Sequence, residues 1–175
     1  MKKQFLRGLT MGLLGVLGLS CANASATTSQ QQWLEQEKQS IAKVSAQLLE
    51  QARSYQQHIE SYCAHPSPEA LLASQLLWKQ NYLAYLPLQS SALGPLVDLK
   101  LNWAISYWPD KKDTTGRKVK AALSNAPMPL SDTHSNLRVQ EYLLFETLSD
   151  QQRCSLLPGA VNRYVSATEQ VSSGL

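Results

Sequence analysis

Apolar positions in this chain recur every three or four residues over long stretches, the spacing of one face of an α-helix. Ile41, Val44, Leu48, Ala52, Tyr55, Ile59 and Tyr62 form the longest stripe and predict a helix from about Gln30 to Tyr62. The "AHPSP" that follows ends it. Ser67 then reads as a helix cap, with Pro68 in the first helical position and Glu69 in the first turn. Leu71, Trp78, Tyr82 and Tyr85 form the core-facing stripe of this second helix, which Pro87 is expected to close.

Between Ser90 and Pro129 the periodicity weakens. The aromatic-rich part before Pro109 reads as a packed helical or irregular crossing segment, and a short helix over about Asp113 to Leu123 follows it. "SNAPMPLSD" is loop by its prolines and small polar residues. In "NLRVQEYLLFETL", Leu137, Leu144 and Leu148 return to one side, which predicts a helix capped between Ser131 and Ser135. The remaining place in that stripe belongs to Glu141. A last helix, Asp150 to Val171, aligns Cys154, Leu157, Val161, Tyr164 and Val171, and Pro158-Gly159 inside it predicts a kink or a delayed start. The fold class is all-α: a bundle of about four main helices with an irregular crossing segment.

The first 26 residues fall outside this pattern. Lys2, Lys3 and Arg7 precede an apolar run from Leu9 to Leu19, and small residues follow. That is the layout of a secretory signal peptide, cleaved after Ala24 or Ala26, with residues 27–175 as the exported domain. The run is too short and wrongly flanked for a transmembrane helix. Cys21 raises the alternative of a lipoprotein anchored through that cysteine.

Export changes the charge reading. The chain carries 16 Lys+Arg and 13 Asp+Glu, and the leader holds Lys2, Lys3 and Arg7 but no acid, so the remainder is formally neutral. The sequence pI near 8.8 describes the precursor. A nucleic-acid partner, which needs a basic face, is not supported. Cys63 and Cys154 remain, and in an oxidising compartment they are candidates for a disulfide from the end of the first helix to the start of the last. Closing so long a loop would stabilise the fold by about 4–5 kcal/mol on the chain-entropy model. Two buried free thiols are the alternative.

"SYWPDKKDTTGRKV", "QEYLLFE" and "QQRCSLLPGAVNRY" resemble, in order and spacing, segments of the imelysin-like proteins. The resemblance implies an exported bacterial protein linked to iron uptake, in a family named for a membrane-associated, insulin-cleaving peptidase. It also implies helical bundles carrying a G-x-H-x-x-E motif as a metal or active site. Carried onto this sequence, the motif's final Glu is Glu141, its glycine position is Asn136 and its histidine position is Arg138. Any cofactor implied, a metal ion such as iron, rests on the resemblance alone. The family also has a second bundle without a counterpart after Leu175, so the chain reads as one half of a longer relative, with a homodimer as one way to replace the missing half.

Glu141 has three readings. As a metal ligand it lacks company: His58, His65 and His134 are scattered, and there is no H-E-x-x-H motif. His134 shares its face but lies about two helical turns away, roughly 10 Å. As a general acid or base it has no recognisable nucleophile, so no catalytic residue is assigned. As a structural charge it has Arg138 one turn earlier, or Arg117 from across the bundle, and this is the favoured reading. Lys111, Lys112 and Arg117 are candidates for anion binding, against the plainer reading of a solvated charged face. Trp103, Tyr107 and Trp108 read as core in preference to a ligand platform. The function the resemblance implies is a binding component of the cell envelope associated with iron or metal acquisition; the residues by themselves give an exported α-helical domain with a paired interior charge. An imelysin-type metallopeptidase and a non-catalytic partner-binding module are the alternatives.

Overall fold

In the computed structural model the backbone is described over residues 20–91, 93–124 and 136–174, with side chains from residue 28 onward. The segment read as a leader, up to residue 19, the side chain of Cys21, and residues 125–135 with Pro129 and His134 lie outside the described residues. Among those described there are seven helices and no strand. The chain divides after Glu37, and the unit from Lys38 to Leu175 holds the core.

The first helix, α1 (Ser20–Ala64), starts well before the predicted Gln30. The physical reason is compositional: no proline or glycine interrupts the chain between Ser20 and Ala64. The apolar stripe marks only the part of the helix that packs, from Ile41 to Tyr62. The second helix, α2 (Pro68–Gln89), begins as expected, with the Ser67 hydroxyl accepting the Ala70 N–H at 3.1 Å. Its end does not follow expectation, because Pro87 lies inside the helix. Leu88, 2 % exposed, packs into the core one residue beyond the proline, and the Ser90 hydroxyl donates to the Pro87 carbonyl at 2.9 Å.

The crossing segment contains two four-residue helices, α3 (Pro95–Asp98) and α4 (Asn102–Ile105), both packed on the last helix. After the cis Trp108–Pro109 bond comes α5 (Thr114–Ser124), one residue from its predicted bounds. Then come α6 (Leu137–Phe145) and α7 (Asp150–Ser173). The cap of α6 is Asn136 rather than a residue between Ser131 and Ser135. The helix also stops before Leu148, which is only half-buried. A capping box explains the stop: Ser149 Oγ accepts the Gln152 N–H at 3.2 Å, and Gln152 Oε1 accepts the Ser149 N–H at 3.0 Å. That box also starts α7 at Asp150, so Pro158 does not delay it.

Short α6 packs on α2, α5 and α7 and lies at the centre of the arrangement. Helices α1 and α7 are joined by the Cys63–Cys154 disulfide, with Cα atoms 5.4 Å apart and a sequence separation of 91. Arg53 pairs with Glu169 at 3.0 Å and Gln56 donates to Asn162 at 2.9 Å along the same seam. Beside the disulfide, Arg153 has a side chain only 5 % exposed. It donates to the Leu143 carbonyl at 2.7 Å, to Asp150 at 2.9 Å and to the Tyr62 hydroxyl at 3.2 Å. One guanidinium thus ties together α1, the end of α6 and the start of α7. No helix among the described residues is long and apolar enough to cross a membrane.

Candidate functional site

The site is built outward from the start of α6. Asn136 is fully buried and its amide is used in both directions. Its Oδ1 accepts the N–H groups of Arg138 and Val139 at 3.0 and 3.3 Å, while its Nδ2 donates to the Trp103 carbonyl at 3.1 Å. A glycine here could make none of these bonds. Asn136 therefore locks the motif helix to α4. From α2, Trp78 Nε1 donates to the Leu137 carbonyl at 2.9 Å and fixes the opposite wall.

One turn into α6, Arg138 and Glu141 form an ion pair at 2.6 Å, their side chains 33 % and 36 % exposed. Arg138, one turn earlier in the helix, is the partner of Glu141, and both side chains are half-buried. Helix α6 presents Leu137, Leu144 and the wholly buried Gln140 to the core, and Glu141 stands at the edge of that face. Arg117 is exposed and makes no ion pair with Glu141 among the described residues.

Beside this pair opens a cavity of about 340 Å³, lined by Trp78, Tyr82, Ser106, Tyr107, Trp108, Leu137, Arg138 and Glu141. Trp78 and Tyr82 are stacked, centroids 5.6 Å apart and planes at 11°, and form one continuous wall. Tyr107 is held edge-on by Trp103 at 5.7 Å. Trp103 and Trp108 are each 60 % exposed, which corrects the reading of both as core. A four-residue helix has too little surface to bury every side chain it carries, and in α4 the buried place goes to Ile105.

The electrostatics centre on Arg138. Its hydrogen bond to Glu141 raises its pKa, burial opposes that, and the charges of Glu141, Asp110 and Asp113 raise it further. Asp110 caps α5, accepting the Thr114 and Thr115 N–H groups at 2.7 and 2.8 Å. Burial pushes its carboxyl up, but these hydrogen bonds and the Arg138 charge outweigh burial and hold it below the ordinary aspartate value. Asp113 folds back over the same helix start. A Cβ on the buried Gly116 would lie 2.5 Å from its Oδ1, which accounts for the glycine in "TTGRK".

Of the sequence-predicted site residues, the structure brings Asn136, Arg138 and Glu141 together. Lys111, Lys112 and Arg117 are exposed and none of them lines the cavity. His58 lies elsewhere, with Nε2 3.2 Å from the Ala70 carbonyl oxygen. The aromatic lining was missed as a site. Its signal was the density of Trp and Tyr in "SYW" and along α2, which reads equally well as core.

The imelysin family model matches residues 41–174. The chain belongs to the imelysin family. That match covers nearly the whole unit that holds the core, including all three motif positions. Searches of curated proteins and of solved structures find no match.

A metal ion, implied by the family, does not fit the residues described. The histidine position holds Arg138, whose guanidinium cannot ligate a cation and already occupies Glu141. No group of three or more His, Cys, Asp or Glu side chains arranged to hold an ion occurs among the described residues.

Proposed function

We propose that this imelysin-family chain is an exported binding component of the cell envelope, working in the setting of metal acquisition, and that its ligand enters the aromatic cleft. The observation that carries this is the convergence of an open, aromatic-walled cavity with the family-motif positions Arg138 and Glu141. Ligand sites are typically concave and mostly apolar, with a few placed polar groups, and a volume of about 340 Å³ is at the small end of their range. The donor set favours an organic ligand over a bare ion.

A thermal melt with iron, zinc, calcium and copper, run on the native chain and on Glu141→Gln, tests the last clause. An ion at a hundred times its dissociation constant would add about 2.7 kcal/mol of stability. No such shift is expected; an ion that stabilises the native chain and not the variant would restore metal ligation and with it the metallopeptidase reading. Export is checked by intact mass of the protein recovered from an envelope fraction. Cleavage after Ala24 or Ala26 leaves a chain beginning at Ser25 or Thr27, whereas lipidation leaves one beginning at a modified Cys21.

A second reading, a partner-binding module, is favoured by one observation on α2. Leu72, Leu76, Leu83 and Leu86 lie along one side of the helix and are 58, 51, 63 and 37 % exposed. Sedimentation velocity over a concentration series separates the two readings, since association that disappears in Leu76→Glu and Leu83→Glu would favour the module.

A further inference from the structure

Resting on the reading of the cleft as a binding site, we propose that its ligand carries an organic cation, a methylated or otherwise alkylated ammonium group held against the aromatic faces. Four rings line the cavity, Trp78, Tyr82, Tyr107 and Trp108, and the electron-rich face of such rings attracts a cation that is weakly hydrated. The charges around the cavity point the same way. Among the described residues Arg138 is the one cation in the lining, and it is already engaged by Glu141 at 2.6 Å. The charges of Asp110 and Asp113 also act on that guanidinium, but both residues lie outside the lining, as do Lys111, Lys112 and Arg117. An anion entering here meets a described lining whose two charges cancel and a guanidinium that is already paired.

A small hydrated cation is no better served, because among the described residues Glu141 is the sole carboxylate in the lining. An alkylated ammonium group needs no ligating oxygen. It needs aromatic and apolar contact without an unpaired cation beside it, and the described lining supplies both. Trp108 adds the uncovered surface: 60 % exposed beside the opening, it leaves a large ring in water that a bound group would cover. Lys111, Lys112 and Arg117 stay in solvent outside the lining.

The test is titration of the full-length protein, followed by tryptophan fluorescence and calorimetry, with choline, tetramethylammonium, dimethylbutanol (the neutral isostere of choline) and acetate at fixed ionic strength. Choline and tetramethylammonium should bind, with the isostere about tenfold weaker or worse. Trp108→Ala, at an exposed position, should lose about tenfold in choline affinity with an unchanged melting temperature, and Trp108→Phe should recover part of it. Equal binding of choline and the isostere, or binding of acetate in preference to both, overturns the cation assignment while leaving the cleft a binding site. If no probe binds, and a wider set of organic ligands also leaves wild type and Trp108→Ala indistinguishable, the cation assignment and the binding role of the cleft both fail.

Discussion

Glu141 and Arg138 each keep about a third of the side chain in water, and that sets what their pairing is worth. A fully buried pair broken by truncation would cost about 3–5 kcal/mol. At this exposure, solvent screening brings the expected cost of Glu141→Gln to about 1 kcal/mol or less, read as a shift in the urea midpoint with unchanged slope. Asp110 makes a different prediction, one of pH. Its folded-state pKa lies below the ordinary aspartate value, so the unfolded chain binds its proton first as pH falls. Its contribution is therefore complete above the ordinary value of about 4, and is lost as pH falls from there through the depressed folded value. Asp110→Asn keeps one acceptor oxygen but loses the charge and the second hydrogen bond at the helix start, so it should be less stable than wild type at pH 7 by about 1 kcal/mol, and the gap should close in acid. A gap that is constant with pH would refute this account of Asp110.

Helices here are joined by polar residues whose roles appear only in three dimensions. Arg153 is the strongest case, binding the Leu143 carbonyl, Asp150 and the Tyr62 hydroxyl from a position almost without solvent. Arg153→Met should destabilise the fold by about 3 kcal/mol, because it strands buried acceptors at the end of α6. Arg153→Lys should recover little of that, since one ammonium cannot span the same fork of acceptors. Chemical denaturation of the two variants checks both statements. The stripes along α1, α2 and α7 were legible because long helices repeat their burial every turn. The position of α6 was legible too, but not its cap or its end: Asn136 and the Ser149 box act through single hydrogen bonds that leave no periodic trace.

For the molecule as a whole, the seam between α1 and α7 decides stability. The Cys63–Cys154 bridge closes a loop with a sequence separation of 91, and replacing both cysteines by alanine should cost about 4–5 kcal/mol by loop-closure entropy. Guanidinium unfolding with and without reductant measures this, and the double variant should be insensitive to reductant. The core also sets an alkaline limit. Tyr85 and Tyr164 are almost wholly buried, and burial raises both phenols, Tyr85 to about 12. Above pH 10 the unfolded chain releases these protons while the folded chain keeps them, so stability must fall as pH rises, by about 1.4 kcal/mol per pH unit for each such phenol. Far-ultraviolet circular dichroism from pH 9 to 12 should show unfolding in that window, with tyrosinate absorbance appearing together with loss of helix.

Much of this protein follows from its sequence alone: an all-α chain, its long helices, the Ser67 cap, the cysteine pairing and the family. Each of these rests on local chemistry or on a pattern that repeats. The cleft does not. Trp108 and Trp103 looked like core because an aromatic residue in sequence carries no sign of whether a neighbour will cover it. Only the tertiary structure decided that the short crossing segment leaves them uncovered. It also decided that Glu141 stands at the margin of the core beside them. Burial depends on what packs opposite, and what packs opposite these residues is set by chain far away in sequence.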